Sequence, residues 1–199
     1  MTKAANIEDA RLVERCRQGD SAAMEQLILR YQDRIYNVIL RMCRNTDDAA
    51  ELTQETFVKI IKNINEFEGR SSFYTWAFRI AVNLTLNYCQ RSVRLGLKSL
   101  DVEDKEHDRQ AKRQLKEVLT DESCPDPALL AQNKELCEIV IQSLMKLDEA
   151  HRAVVVLRDI EGMNYARIAE VLDIELGTVK SRLSRARSHL RKIMEAILQ

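Results

Sequence analysis

The chain has 199 residues with 31 basic and 31 acidic side chains, a formal net charge of zero and 45% hydrophobic residues, which suits one large domain or two small ones. Its five cysteines (Cys16, Cys43, Cys89, Cys124 and Cys137) are odd in number and scattered, without a C-x-x-C pair; this argues for reduced thiols in a cytoplasm and against a disulfide framework or zinc site. The opening MTKAANIEDARLVERC lacks the apolar core of a signal peptide and the longest aliphatic run, Ala153–Leu157, is far too short to span a bilayer, so no membrane insertion is expected.

With only five glycines and two prolines, and a helical period in almost every segment, the fold class is all-α. A short helix is expected over Glu8–Arg17. A long one over Ala22–Met42 carries the apolar stripe Ala23, Leu27, Ile28, Tyr31, Ile35, Val38, Ile39 and Met42, with a cap from Asp20-Ser21. The next starts after Asn45-Thr46-Asp47 and runs to about Ile64, with Leu52, Phe57, Ile60, Ile61 and Ile64 apolar. A further helix from Ser71 or Ser72 to about Arg91 is expected to bury Trp76, Ile80, Leu84 and Tyr88. These form a compact bundle, the domain of residues 1–92. The pattern then fails, and Pro125 and Pro127 close a flexible linker over 93–127, partly helical between Lys105 and Leu119. Helical order resumes at Ala128 through Ile139, Val140, Leu144 and Leu147 into a second small helical domain, residues 128–199. Cys16, Cys43 and Cys89 fall in helical patterns as small core residues; His107, His151 and His189 share no metal-ligand spacing and are expected at the surface. No metal or other cofactor is expected.

The C-terminal segment divides charge and apolar spacing between two faces. From Thr178 to Lys192 the chain carries Lys180, Arg182, Arg185, Arg187, Arg191 and Lys192 and no carboxylate, whereas residues 134–175 hold five basic and nine acidic residues. Val179, Leu183, Ala186, Leu190 and Ile193 share one helical face, and Lys180, Ser181, Ser184, Arg185 and Ser188 occupy the other, fit to approach phosphates and base edges. Before it, Asn164 can cap a short helix Tyr165–Leu172 with Ile168, Ala169 and Leu172 inward. Asp173–Gly177 is a turn-length break, and Thr178 a candidate cap for the basic helix. Short helix, tight turn and basic helix make a helix-turn-helix. Asp173 stands where repressors usually carry glycine, and Asp tolerates left-handed geometry better than most residues.

Two N-terminal segments carry their own signals. In DDAAELTQETF, Asp47, Asp48, Glu51, Gln54 and Glu55 gather in the first turns of a helix; the helix dipole explains them, and so does a docking face for a basic partner. In FEGRSSFYTWAFRIAVN, Phe67, Phe73, Tyr74, Trp76 and Phe78 lie beside Arg70 and Arg79, after a loop containing Gly69. Aromatics interleaved with arginines hold single-stranded nucleic acid, and equally build a core; Trp76, on the apolar stripe, fits the core better, and the loop and Asn83 fit the functional reading better.

The order DDAAELTQETF, FEGRSSFYTWAFRIAVN, a variable linker and LDEAHRAVVVLRDIEGMNYARIAEVLDIELGTVKSRLSRAR resembles the extracytoplasmic-function group (group 4) of bacterial RNA polymerase sigma factors over about residues 8–92 and 128–195, the envelope-stress members most of all. The resemblance implies a cytoplasmic, non-enzymatic promoter-specificity subunit, with core RNA polymerase (β and β′ subunits), promoter DNA and an anti-sigma factor as partners. It implies docking on the β′ clamp helices through Asp48, Glu51, Gln54 and Glu55. It implies capture of a flipped −10 base by Gly69, Arg70, Ser71, Ser72 and Phe73, with Asn83 lining that pocket. It implies −35 recognition by Lys180, Ser181, Ser184 and Arg185 with Thr178 and Arg182 on the same helix, and Arg158 and Tyr165 near backbone phosphate. The alternative is a helix-turn-helix regulator that acts without being a polymerase subunit; it requires a dimer interface and a palindromic operator, and leaves the aromatic-arginine segment without a role.

Overall fold

The computed structural model describes residues 3–94 and 139–198. Residues 95–127 of the expected linker, the helical stretch between Lys105 and Leu119, the restart at Ala128, and His107, Cys124 and Cys137 lie outside the described residues.

Helix α1 spans Lys3–Arg17, starting before the expected Glu8. Helix α2, Ser21–Cys43, begins where the Asp20 carboxylate accepts from the Ala22 and Ala23 amides at 3.0 and 3.2 Å. It ends at Arg44, left-handed at φ 76°, whose N–H donates to the Leu40 carbonyl. Helix α3, Thr46–Asn63, is capped by the Asn45 side chain, which accepts from Asp47 and Asp48 amides at 2.8 and 3.1 Å. A 3₁₀ turn, Ile64–Glu66, and a loop lead to α4, Phe73–Arg94, where Ser72 Oγ accepts from the Thr75 amide at 3.1 Å.

The buried face of α4 differs from the expected one. Tyr74, Ala77, Phe78, Ala81, Val82, Thr85 and Cys89 are buried, while Trp76, Ile80, Leu84 and Tyr88 are half-buried at its edge. The cause is tertiary: α4 is contacted by α1, α2 and α3 and also by the C-terminal half, so its buried arc is turned toward that second partner. On α3, Ile61 is not in the core but 47% exposed, because the buried line runs through Leu52, Phe57 and Ile60 and Ile64 continues it.

In the C-terminal half, residues 139–145 form helix α5, with Leu144 and Leu147 buried and Ile139 and Val140 half-buried. Helix α6, Glu149–Val155, is capped by Asp148 and continues as a π-turn, Val156–Ile160. His151 is not a free surface residue: its ring Nδ1 is 2.5 Å from the Asp148 carboxylate and its Nε2 is buried without a partner. Helix α7 is Tyr165–Leu172, capped by Asn164 as expected, with Ile168 and Val171 buried; Ala169 and Leu172 are half-buried, not fully inward. Asp173 takes the left-handed turn at φ 54°. The recognition helix α8, Leu176–Leu198, starts two residues before Thr178, which is therefore no cap; the Glu175 carbonyl receives the Thr178 and Val179 amides at 2.9 and 3.1 Å.

The two halves touch. Helix α7 packs on α4, and α6 with its π-turn packs on α2, so buried residues of both belong to one continuous core. Arg152, 2% exposed, sits in that junction. Cys16 and Cys89 are buried as expected; Cys43 is half-buried, and burial pushes its thiol up to about 12.

Candidate nucleic-acid and partner-binding surfaces

Helix α8 owes its orientation to its apolar stripe. Val179, Leu183 and Ala186 are buried and Leu190 and Ile193 half-buried, which turns the remaining circumference outward. Lys180, Ser181, Ser184, Arg185, Ser188, Arg191 and Lys192 are exposed there, and Thr178 and Arg182 are half-buried. Arg187 is withdrawn from this set: its guanidinium grips both oxygens of Asp159, with Nε at 3.1 Å, tying α8 to the π-turn. A groove of ≈390 Å³ lined by Tyr165, Lys180, Ser184, Ser188 and Arg191 runs along the basic face. Arg158 and Tyr165 act as a unit, the guanidinium 4.9 Å from the ring centroid with Nη1 donating to the Met163 carbonyl at 2.8 Å. At the start of α8 the character is mixed: Glu170, Asp173, Glu175 and the 41% exposed Leu176 line a second hollow together with Thr178 and Arg182.

On α3, Glu51, Gln54 and Glu55 are exposed, Glu55 pairing with Lys59 at 3.4 Å. Val58 and Ile61, 46% and 47% exposed, continue the same helical line, so the face is a row of acids followed by aliphatics. Sequence reasoning noted Ile61 only as apolar and missed this extension. Its only signal was the helical phase, which sets Ile61 one step from Ile60. Asp48 is half-buried; burial and a hydrogen bond to its carboxylate both push the Tyr88 phenol upward, so Asp48 also joins α3 to α4.

The loop before α4 has Gly69 at φ 73°, where a side chain would be strained, and exposed Arg70, 2.5 Å from Glu68. Ser71 and Ser72 are half-buried. Phe73 is 3% exposed, its ring 5.6, 6.2 and 5.9 Å from those of Tyr31, Phe67 and Trp76. The aromatic segment is thus a packed cluster that props the loop, and Phe73 offers no free ring in this conformation. Asn83 is exposed. It lies eleven residues beyond Ser72, about 16 Å along the helix axis at 1.5 Å per residue, so loop and Asn83 do not converge on one point.

Residues 27–95 match the family model for sigma-70 region 2, and residues 137–190 match that for sigma-70 region 4. The chain is 34% identical over 196 residues to the RNA polymerase sigma-H factor of Pseudomonas aeruginosa, covering 96% of each chain. It is also 34% identical to the ECF RNA polymerase sigma-E factor of Haemophilus influenzae, covering 98% of this chain and 100% of that one. The chain is an extracytoplasmic-function sigma factor. Its fold matches that of CnrH, solved with the cytosolic domain of CnrY, at TM-score 0.64 and 23% identity over 95% of this chain and 98% of that one. It also matches the sigma factor RpoE of Bartonella quintana, solved with the anti-sigma factor NepR, at TM-score 0.58 and 20% identity over 86% and 96% of the chains. Arg34, Arg41, Arg152 and Glu161, which lie at the contact between the two regions, carried no local signal in the sequence of this sigma factor, and Tyr74 stood out only as one of the aromatics before Arg79.

Proposed function

We propose that this alternative sigma factor belongs to group 4 and serves an envelope-stress response, in a cytoplasm, as a non-catalytic subunit of RNA polymerase that directs promoter-specific initiation. The observation that carries the reading is the exposed face of α8 over Thr178–Lys192, a stretch without acids that presents Lys180, Ser181, Ser184 and Arg185, on the same chain as the exposed acidic row of α3. Opposite charges on separate surfaces suit two partners, duplex DNA for one and a basic protein surface for the other.

In this reading Glu51, Gln54 and Glu55 dock on the β′ subunit, with Asp48 at the margin and the β subunit contacted elsewhere. The −35 duplex meets Lys180, Ser181, Ser184 and Arg185, with Thr178 and Arg182 beside them and the Arg158–Tyr165 pair near a backbone phosphate. The −10 strand meets Gly69, Arg70, Ser71 and Ser72 over the Phe73 support. Asn83, about 16 Å further along α4, takes a different nucleotide of the same strand. Base capture stabilises the open strand without any hydrolysis. An anti-sigma factor is a further partner, as in the RpoE–NepR complex. In vitro transcription with core polymerase on a genomic library tests this: initiation at a shared −35/−10 pair only when the protein is present is expected, and an unchanged set of transcripts overturns it.

A further inference from the structure

Arg17, the last residue of α1, reaches two backbone carbonyls far along the chain. Its Nη2 donates to the Phe67 carbonyl and its Nε to the Ile64 carbonyl at 3.5 Å, 50 and 47 residues away. Its Nη1 is 3.5 Å from the Glu14 carboxylate, one turn back on α1, so each nitrogen of the fork has a partner. Ile64 opens the 3₁₀ turn, and Phe67 closes it by donating its N–H to the Ile64 carbonyl at 3.3 Å. Arg17 therefore grips both ends of that turn.

Phe67 is fixed a second time by its ring, 7% exposed and 5.0 and 6.2 Å from the rings of Trp76 and Phe73. The far end of the loop is fixed by the start of α4. There the Ser72 and Thr75 hydroxyls are 2.9 Å apart, and the Ser72 carbonyl accepts the Trp76 amide at 3.1 Å. Between these two anchors Glu68, Gly69 and Arg70 are exposed. A Cβ added at Gly69 would meet nothing within 4 Å, so the backbone there faces open space and only its positive φ asks for glycine. The loop is a short open span with both feet held. One foot stands on α1, before residue 27 and so outside the stretch that matches region 2.

A loop free at one end samples many shapes, and its apparent affinity falls by the fraction of time spent in the binding one. A loop held at both ends has that shape before a strand arrives. Arginine suits the task better than lysine, because its planar fork addresses two carbonyls and a carboxylate at once. We propose that Arg17 is a positioning residue for −10 strand capture, holding the leading end of the Gly69–Ser72 loop in its capturing shape. The proposal rests on the promoter-binding reading above. Arg17 touches no nucleotide in it; its effect passes through the Phe67 backbone.

The test uses the full chain as wild type, Arg17→Gln and Arg17→Lys. Tryptic cleavage after Arg70, read by mass spectrometry, reports how firmly the loop is held, and circular dichroism reports the fold. Holoenzyme made with each variant is titrated across a salt series with a single-stranded −10 oligonucleotide and a −35 duplex, both from promoters that the transcription experiment identifies. Arg17→Gln should keep wild-type helicity, polymerase affinity and −35 binding. It should be cut after Arg70 about tenfold faster and bind the single strand about tenfold more weakly, at an unchanged salt slope. Arg17→Lys, which keeps the charge and reaches one carbonyl at most, should fall between, and it carries the test should Arg17→Gln lose helicity. Unchanged cleavage would show that Arg17 does not hold the loop. Faster cleavage with wild-type strand binding would show that holding the loop does nothing for capture. Weaker strand binding with a salt slope smaller by about 0.7 would make Arg17 a phosphate contact instead. A wild-type holoenzyme that ignores the single strand sinks the −10 reading and the role of Arg17 with it, whereas variants that bind it as wild type does sink only the role of Arg17.

Discussion

Arg152 of α6 donates from Nη1 to the carbonyl of Met42, 2.6 Å away in the last turn of α2 and 110 residues distant in the chain. The same guanidinium donates to the carbonyls of Leu144 at 3.1 Å and Leu147 at 2.6 Å, so one side chain ends α2 and shapes the turn before α6. Burial, and then the like charge of Arg44, lower its pKa to about 10, which still leaves it charged at neutral pH. Replacing it with Met keeps the bulk and strands these carbonyls. Arg152→Met should therefore cost about 3 kcal/mol, since each buried unsatisfied group costs on the order of 1–3 kcal/mol. Thermal denaturation followed by helicity checks this; a melting temperature within a degree of wild type would show that water takes over those carbonyls.

Arg44 offers the opposite experiment. It ends α2 in left-handed geometry at φ 76°, where glycine carries no steric penalty, and its charge opposes that of Arg152. Arg44→Gly should raise stability by roughly 0.5–1 kcal/mol after the larger unfolded-state entropy of glycine is subtracted. Urea midpoints at unchanged slope measure it, and a lower midpoint would contradict the strain argument.

Changing Glu51 and Glu55 together to Lys should abolish co-purification with core polymerase at normal helicity. Both side chains are exposed, and such surface changes usually stay within about 0.5 kcal/mol of stability. Retained association would remove this face of α3 from the docking surface. Val58→Glu, next along the line and 46% exposed, should weaken the same association.

Arg185→Ala and Lys180→Ala should weaken −35 recognition in different ways. Arg185 reading a guanine edge would relax specificity at one base pair by about 1–3 kcal/mol, whereas a phosphate contact from Lys180 would weaken all sequences alike. Binding of the holoenzyme to a set of single-base promoter variants separates the two. Identical base-preference profiles would reverse or dissolve the assignment. The isolated chain should bind the same DNA poorly, because its net charge is zero and Arg187 is already paired with Asp159.

Asn83→Ala should spare −35 binding and impair promoter opening. The exposed amide offers both donor and acceptor to an unpaired base edge, which a duplex base cannot reach. The defect should shrink on a template mismatched across the −10 element. Permanganate reactivity of −10 thymines on matched and mismatched templates reads this, and wild-type opening on matched DNA would reduce Asn83 to a helix-surface residue.

What the sequence by itself determined about this protein is what depends on neighbours within a turn or two. Asp20, Asn45, Ser72 and Asn164 cap their helices through amides two or three residues away, and Asp173 takes a left-handed turn set by its own backbone. The basic face of α8 over the acid-free stretch Thr178–Lys192 follows from charge and a 3.6-residue period alone, and three motifs in order were enough to suggest the family. Tertiary structure decided the rest. Ile61, apolar in the sequence, is 47% exposed; Arg187, one of six cations between Thr178 and Lys192, is held by Asp159; α4 buries Tyr74 and Phe78 because a second half packs on it. Thr178 lost its capping role to the Glu175 carbonyl, a two-residue shift in helix start that periodicity does not resolve. Glu161 and Arg34 are 127 positions apart, and neither carries a local sign of the other. A cap satisfies a backbone donor already beside it, whereas an ion pair across a domain contact exists only once packing has brought the charges together and excluded water from between them.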